Sequence, residues 1–199
     1  MPSVLKRLLP ALAGSVLVIA LLPAPGNALP AMRSVEATRW GLLMAGTLND
    51  NPVTDTAPRA EAKSSFTVRY STNFPTAARA AFDKALTIAS ANFESSVPIV
   101  VDATWTRLGP GVLGSARPTR FFTNFPNSPT NDLWYTSALA NSIAGRDLDP
   151  TDSDIKANFS SSAPWSFATD GTAYRGYYDL VTVVLHEVVH GLGFLSNTY

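Results

Sequence analysis

The chain of 199 residues contains two histidines, His186 and His190, set four positions apart with Glu187 between them in "LVTVVLHEVVHGLGF". Residues at i and i+4 share one face of a helix. Two imidazoles so placed reach one cation at the ~2.0 Å of a zinc–nitrogen bond. Glu187 is turned about 100° from His186, which puts its carboxylate beside such an ion. There it can take a proton from water that the metal has activated and pass it to a leaving amine. The spacing therefore predicts metal-assisted hydrolysis, with His186 and His190 as zinc ligands and Glu187 as general base. The rival reading is two core histidines that fell by chance on a buried helix. The concentration of every histidine in this one motif weighs against it.

The elements that must position these residues follow from periodicity. Asp179 is placed as the N-cap of the last helix, in which Val181, Val184, Leu185, Val188 and Leu192 form a broad apolar face opposite the histidines. Upstream, Phe66, Val68 and Tyr70 alternate with polar residues as in a half-buried strand. A helix capped by Thr76 then carries the stripe Phe82, Leu86, Ala89 and Phe93. Ile99, Val101, Ala103 and Trp105 predict a second strand, which the Gly/Pro-rich "GPGVLGSARPT" ends as a loop. A shorter helix is expected from a cap at Asn131 or Asp132 to a stop at Gly145. Ile155, Ala157 and Phe159 predict a further strand, and "SAPWSFATDGTAYRGYYD" a turn-rich loop. The order implies an α+β or α/β fold in which helices pack on one twisted sheet, with the active-site helix last. No internal repeat is evident.

At the N-terminus, Lys6 and Arg7 precede an apolar run from about Leu8 to Leu22 and small residues at Gly26-Asn27-Ala28. This is the pattern of a Sec-type signal peptide, cleaved after Ala28, and it predicts a secreted protein. An uncleaved anchor fits less well, because the run is shorter than the ~20 residues of a spanning helix and Pro10 interrupts it. Removing residues 1–28 leaves 13 basic and 15 acidic side chains, a charge of −2 that gives no electrostatic case for nucleic acid or anionic membrane as partner. Residues 29–63 lack a sustained period and read as a loosely ordered lead-in or prosegment. The chain has no cysteine, so packing or metal must hold it in place of disulfides. Nothing in the composition fixes an oligomeric state.

The stretch "VTVVLHEVVHGLGFLS" resembles the active-site helix and turn of the zincin metalloproteases, within them the metzincin-like motif H-E-x-x-H-x-x-G-x-x-H. His186, Glu187, His190 and Gly193 match position by position, and "ALANSIAGRDLDPTDSDIKANFSSSAPWSFATDGTAYRGYYD" is similar to what precedes H-E-x-x-H-G-L-G-F in exported bacterial proteins of this kind. The resemblance covers residues 64–199. It implies a zincin-like catalytic domain there, a Zn2+ cofactor, and a secreted metalloendopeptidase acting on peptide or protein substrates. It also implies that the strand Ile155 to Phe159 is the sheet edge along which an extended substrate docks. The chain departs from the motif at Ser196, where a third ligand is expected, and a neutral hydroxyl is a poor zinc ligand. The expectation is a third ligand, and a methionine-containing turn, in sequence beyond Tyr199. The alternative is a two-ligand site that binds zinc weakly, and an existing carboxylate such as Asp170 or Asp179 is the remaining source of a donor. Two other functions are compatible with the motif: a catalytically silent secreted binding or adhesion module, and a zinc hydrolase of non-peptide substrates.

Asp147, Asp149, Asp152 and Asp154 fall within eight residues, an oxygen-rich spacing that could bind Ca2+. The plainer reading is a solvated acidic loop. Asn158 opens the sequon "NFS", but inside a predicted strand. Trp165, Phe167, Tyr174, Tyr177 and Tyr178 either line a cleft or pack their loop onto the sheet.

Overall fold

Described in the computed structural model are residues 30–37, 41–44, 62–172 and 174–194. The expected signal peptide, residues 1–28, and Ser196 lie outside them. In chain order the elements are β1 (Arg33–Glu36), β2 (Gly41–Met44), β3 (Phe66–Tyr70), α1 (Thr76–Asn92), β4 (Ile99–Thr106), β5 (Val112–Pro118) and β6 (Arg120–Thr123). There follow β7 (Tyr135–Thr136), α2 (Ser137–Ala144), β8 (Ile155–Ser160), β9 (Trp165–Ser166), β10 (Tyr178–Asp179) and α3 (Leu180–Leu192). The fold is α+β. Among the described residues no helix is long and apolar enough to cross a membrane.

Alternation of apolar and polar side chains builds the centre. In β4, Ile99, Val101, Ala103 and Trp105 are buried while the residues between them are half-exposed, and in β8 Ile155, Ala157 and Phe159 are buried likewise. Phe82 of α1 meets Phe159 edge-on at 5.4 Å, and Phe74 meets Phe82 at 5.8 Å, geometries that add to their burial. The main sheet has the order β2-β5-β8-β4-β3, with β3, β4 and β8 parallel and β5 and β2 antiparallel to their neighbours. Helix α3 packs on β5 and β8 and also against α1.

Three expectations are corrected here. The strand Ile155–Phe159 is not the sheet edge: β8 is bonded to β4 on one side and β5 on the other. The stretch 109–119, expected as a loop after β4, carries the strand β5, because only Gly109 to Gly111 turns, with Gly111 at φ 72, and β6 follows directly after it. The second helix begins at Ser137, not near Asp132. Asn124 and Asp132 bond to each other across the intervening loop, the Asp132 N–H to Asn124 Oδ1 at 2.8 Å and Asn124 Nδ2 to Asp132 Oδ1 at 3.1 Å, so they close a loop where a cap was expected. The expected stop at Gly145 stands, in the left-handed conformation at φ 67.

The lead-in contains β1 and β2. β1 pairs antiparallel with β6, and all four of its residues are exposed. The connection continues through the Ala37 N–H, which donates to the Thr119 carbonyl at 2.9 Å, and through Arg117, which donates to the Ala37 carbonyl and reaches Glu36 Oε1 at 3.2 Å. β2 then pairs antiparallel with β5. Asp154 ties several elements together. Its carboxylate accepts from the Val100 N–H and from Asn141 Nδ2, each at 2.8 Å, while its backbone carbonyl accepts from the Thr119 N–H at 2.8 Å.

Candidate metal centre

Helix α3 opens as its sequence predicts. Asp179 accepts from the Thr182 N–H at 2.8 Å, satisfying one of the free donors of the first turn. Leu180, Val183, Val184, Val188 and Leu192 are buried. Two glycines fix how the helix is seated and where it ends. A Cβ on Gly191 would stand 2.4 Å from Ile155 Cγ2, so the helix backbone lies directly on β8 at that point. Gly193 ends the helix at φ 127, a conformation that L side chains rarely adopt, with Thr136 Oγ1 donating to the Leu192 carbonyl at 2.9 Å.

His186 is exposed and His190 half-buried, and their Nε2 atoms stand 2.9 Å apart with the rings at 88°. His190 Nδ1 lies 2.6 Å from the Phe194 carbonyl. A carbonyl only accepts, so this contact places the proton on Nδ1 and leaves the Nε2 lone pair facing His186, the arrangement that orients metal-binding imidazoles. Partial desolvation of its ring, and after it the neighbouring His190, lowers the pKa of His186 and favours its neutral form, as a ligand requires. Two nitrogens on one tetrahedral zinc lie roughly 3.3 Å apart, so the observed pair fits a shared cation after a small opening. Among the described residues no group of three or more His, Cys, Asp or Glu side chains forms around a common point.

Glu187, one residue from exposed His186, has no accessible surface. It lies on the buried face of α3 against β5, where a Cβ on Gly114 would come within 3.0 Å of its Cγ and 3.1 Å of its Oε1. The sequence alone does not single out Gly114, because a glycine in a Gly/Pro-rich run reads as a turn. The signal that could have found it is the small-residue triplet Gly114-Ser115-Ala116, which lets a helix approach a strand closely.

The other predicted residues are dispersed. Asp170 accepts from the Thr172 N–H at 2.9 Å, which lowers its pKa, and Asp179 is occupied by its capping bond. In the acidic stretch each carboxylate has a local partner. Asp147 accepts from the Asp149 N–H, Asp149 pairs with Arg120 at 2.7 Å, Asp152 pairs with Lys156 at 3.3 Å, and Asp154 is held as described above. Asn158 reaches Ser115 Oγ at 3.3 Å within the sheet. The aromatic loop divides: Trp165 is buried, donating from Nε1 to the Ser160 carbonyl at 2.7 Å and packing on Trp105 and Tyr178, and Phe167 also meets Trp105. Tyr174 and Tyr177 are exposed. A cleft of about 390 Å³ opens between α1 and α3, with Ile88, Val181 and Leu185 in its wall and Lys84 at its side.

With this geometry in place, comparison with known proteins assigns the chain to a class. The chain belongs to the SPBPB7E8-like family, whose model matches residues 43–198 and so includes α3 and its histidine pair. No curated protein and no solved structure matches it.

Proposed function

We propose that the chain is a secreted zinc-dependent metalloendopeptidase of zincin-like fold, in which His186 and His190 hold the metal and Glu187 is the general base. The observation that carries this reading is the convergence of the two Nε2 atoms at 2.9 Å, one of them oriented by the Phe194 carbonyl. Bound there, zinc would polarise a substrate carbonyl and acidify water. The protein's own part is threefold. His190 keeps its proton on Nδ1, His186 stays neutral, and Glu187 supplies a carboxylate one helical step from the ligands for the proton released. Support for secretion is the basic–apolar–small pattern of residues 1–28.

Calorimetric titration of the full chain with Zn2+ tests the reading, paired with cleavage of a denatured protein. One equivalent of zinc is expected to bind, and His190→Ala to weaken binding roughly 100-fold, as loss of a ligand does. Failure of the wild-type chain to bind zinc overturns the proposal. The complete burial of Glu187 favours a second reading, a silent binding module that retains the fold. Zinc binding without turnover, in a chain where Glu187 has been made accessible, selects it.

A further inference from the structure

A general base must reach water and substrate, yet Glu187 is wholly buried while its neighbour His186 is exposed. Over this part of α3 lies β5, with Gly114 against the Glu187 side chain. The backbone of Leu43 is paired with Gly114 across the next gap in the sheet, and α3 approaches β2 as well as β5. Among the described residues β2 is the last strand on its side. Without it β5 would present a free edge, a row of amides and carbonyls that forms a template for an extended peptide.

The attachment of β2 is slight. It is four residues long, bonded among the described residues to a single neighbour, and its register shifts between Leu43 and Met44, so that Met44 is paired with Val112 and Leu113 is passed over. Such an irregularity interrupts the ladder. The strand before it, β1, has all its residues exposed. β1 along β6 and β2 along β5 thus form a strap. β3, the next described strand in sequence, lies on the opposite edge of the sheet.

We propose that Gly41–Met44 is an intramolecular plug: β5 is a strand-receiving surface for an extended peptide, and β2 occupies it in place of substrate. The identity of the excluded peptide as substrate rests on the metalloendopeptidase reading; the plug itself rests on the pairing. Release of β2 opens the β5 edge beside Glu187, and an incoming peptide takes the same antiparallel place opposite Gly114.

Proline at 42 and at 43, each in the full chain, tests this. Amides of an edge strand alternate between the neighbouring strand and the open side, so one substitution removes a β2–β5 bond and the other removes none. In the ladder-breaking variant, hydrogen exchange is expected to accelerate roughly tenfold or more over Val112–Arg117, with β4 and β8 unchanged and Glu187 newly labelled by a water-soluble carbodiimide. A synthetic peptide of residues 38–47 should restore protection. If the proline variant does not fold, a second arm decides. The full chain, carrying a site-specific protease sequence in place of residues 50–56, is folded and then cut, and the N-terminal fragment is expected to leave on dilution while β4 and β8 stay protected. Unchanged exchange in β5 in either arm overturns the plug, and so does loss of protection across β4 and β8, which would make the strand part of the core. None of these readouts needs metal or turnover. If the edge opens and the zinc-loaded chain still cleaves nothing, the metalloendopeptidase reading fails while the plug stands.

Discussion

A methyl group on Gly114 would press on Glu187 at 3.0 Å from Cγ and 3.1 Å from Oε1, and that side chain is fully buried. Gly114→Ala is therefore expected to destabilise the fold by about 1–3 kcal/mol, as overpacking does, read by denaturant unfolding. Wild-type stability would show that Glu187 moves freely and that the close approach is incidental. Glu187→Gln isolates the chemistry from the packing, since it is nearly isosteric. On the proposed reading it keeps zinc affinity and loses roughly 100-fold or more in peptide hydrolysis, and a parallel loss of zinc would move Glu187 into the ligand set. At this scale the histidine pair was legible in the sequence because a four-residue spacing has one meaning on a helix. The burial of Glu187 was not, because it depends on which strand lies under α3, a fact carried by residues more than seventy positions away.

Helix α3 rests on β8 through Gly191, where any Cβ would meet Ile155 Cγ2 at 2.4 Å and Cδ1 at 2.9 Å. Gly191→Ala should lift the helix from the sheet, and Ile155→Ala should relieve the clash while leaving a cavity. Singly, about 1–3 kcal/mol or more is expected from the first and about 2–5 kcal/mol from the second. Together they should cost less than their sum by about 1 kcal/mol or more. Strict additivity in unfolding measurements would mean that α3 is not seated by that contact. Strands β4 and β8 and helices α1 and α3 could be read from period alone, because each buries one face and leaves the other half-exposed. β5 could not. Three of its six buried residues are Gly114, Ser115 and Ala116, small enough to admit α3 and too small to mark a strand. β1 is exposed on every residue, so no alternation betrays it. The edge role expected for β8 failed for a different reason: a strand's period reports its burial, and only long-range pairing reports its neighbours.

At the scale of the molecule, Asp154 joins the start of β8 to β4, α2 and the end of β5. Burial raises its pKa to about 6 against an ordinary 3.8, the Asp147 charge adding to the rise and the Val100 and Asn141 bonds opposing it. Between those values the folded chain keeps a proton that the unfolded chain gives up, so the stabilisation from this group is full below about pH 4 and is lost as pH rises through about 6. The denaturation midpoint of the wild type is expected to fall relative to that of Asp154→Asn across this window. A constant difference between the two would refute the raised pKa.

The partners of the strap also set an order of events. Leu43 meets Gly114 and Arg33 meets Thr123, separations of 71 and 90 residues, whereas β3 and β4 are joined by α1 alone. Closing a loop costs entropy that grows with the logarithm of its length, and contacts of long separation form slowly. A chain made from its N-terminus therefore releases β2 well before β5 exists to receive it. The β5 edge comes into being unpaired, and the strap must find it late, in competition with any other extended chain nearby.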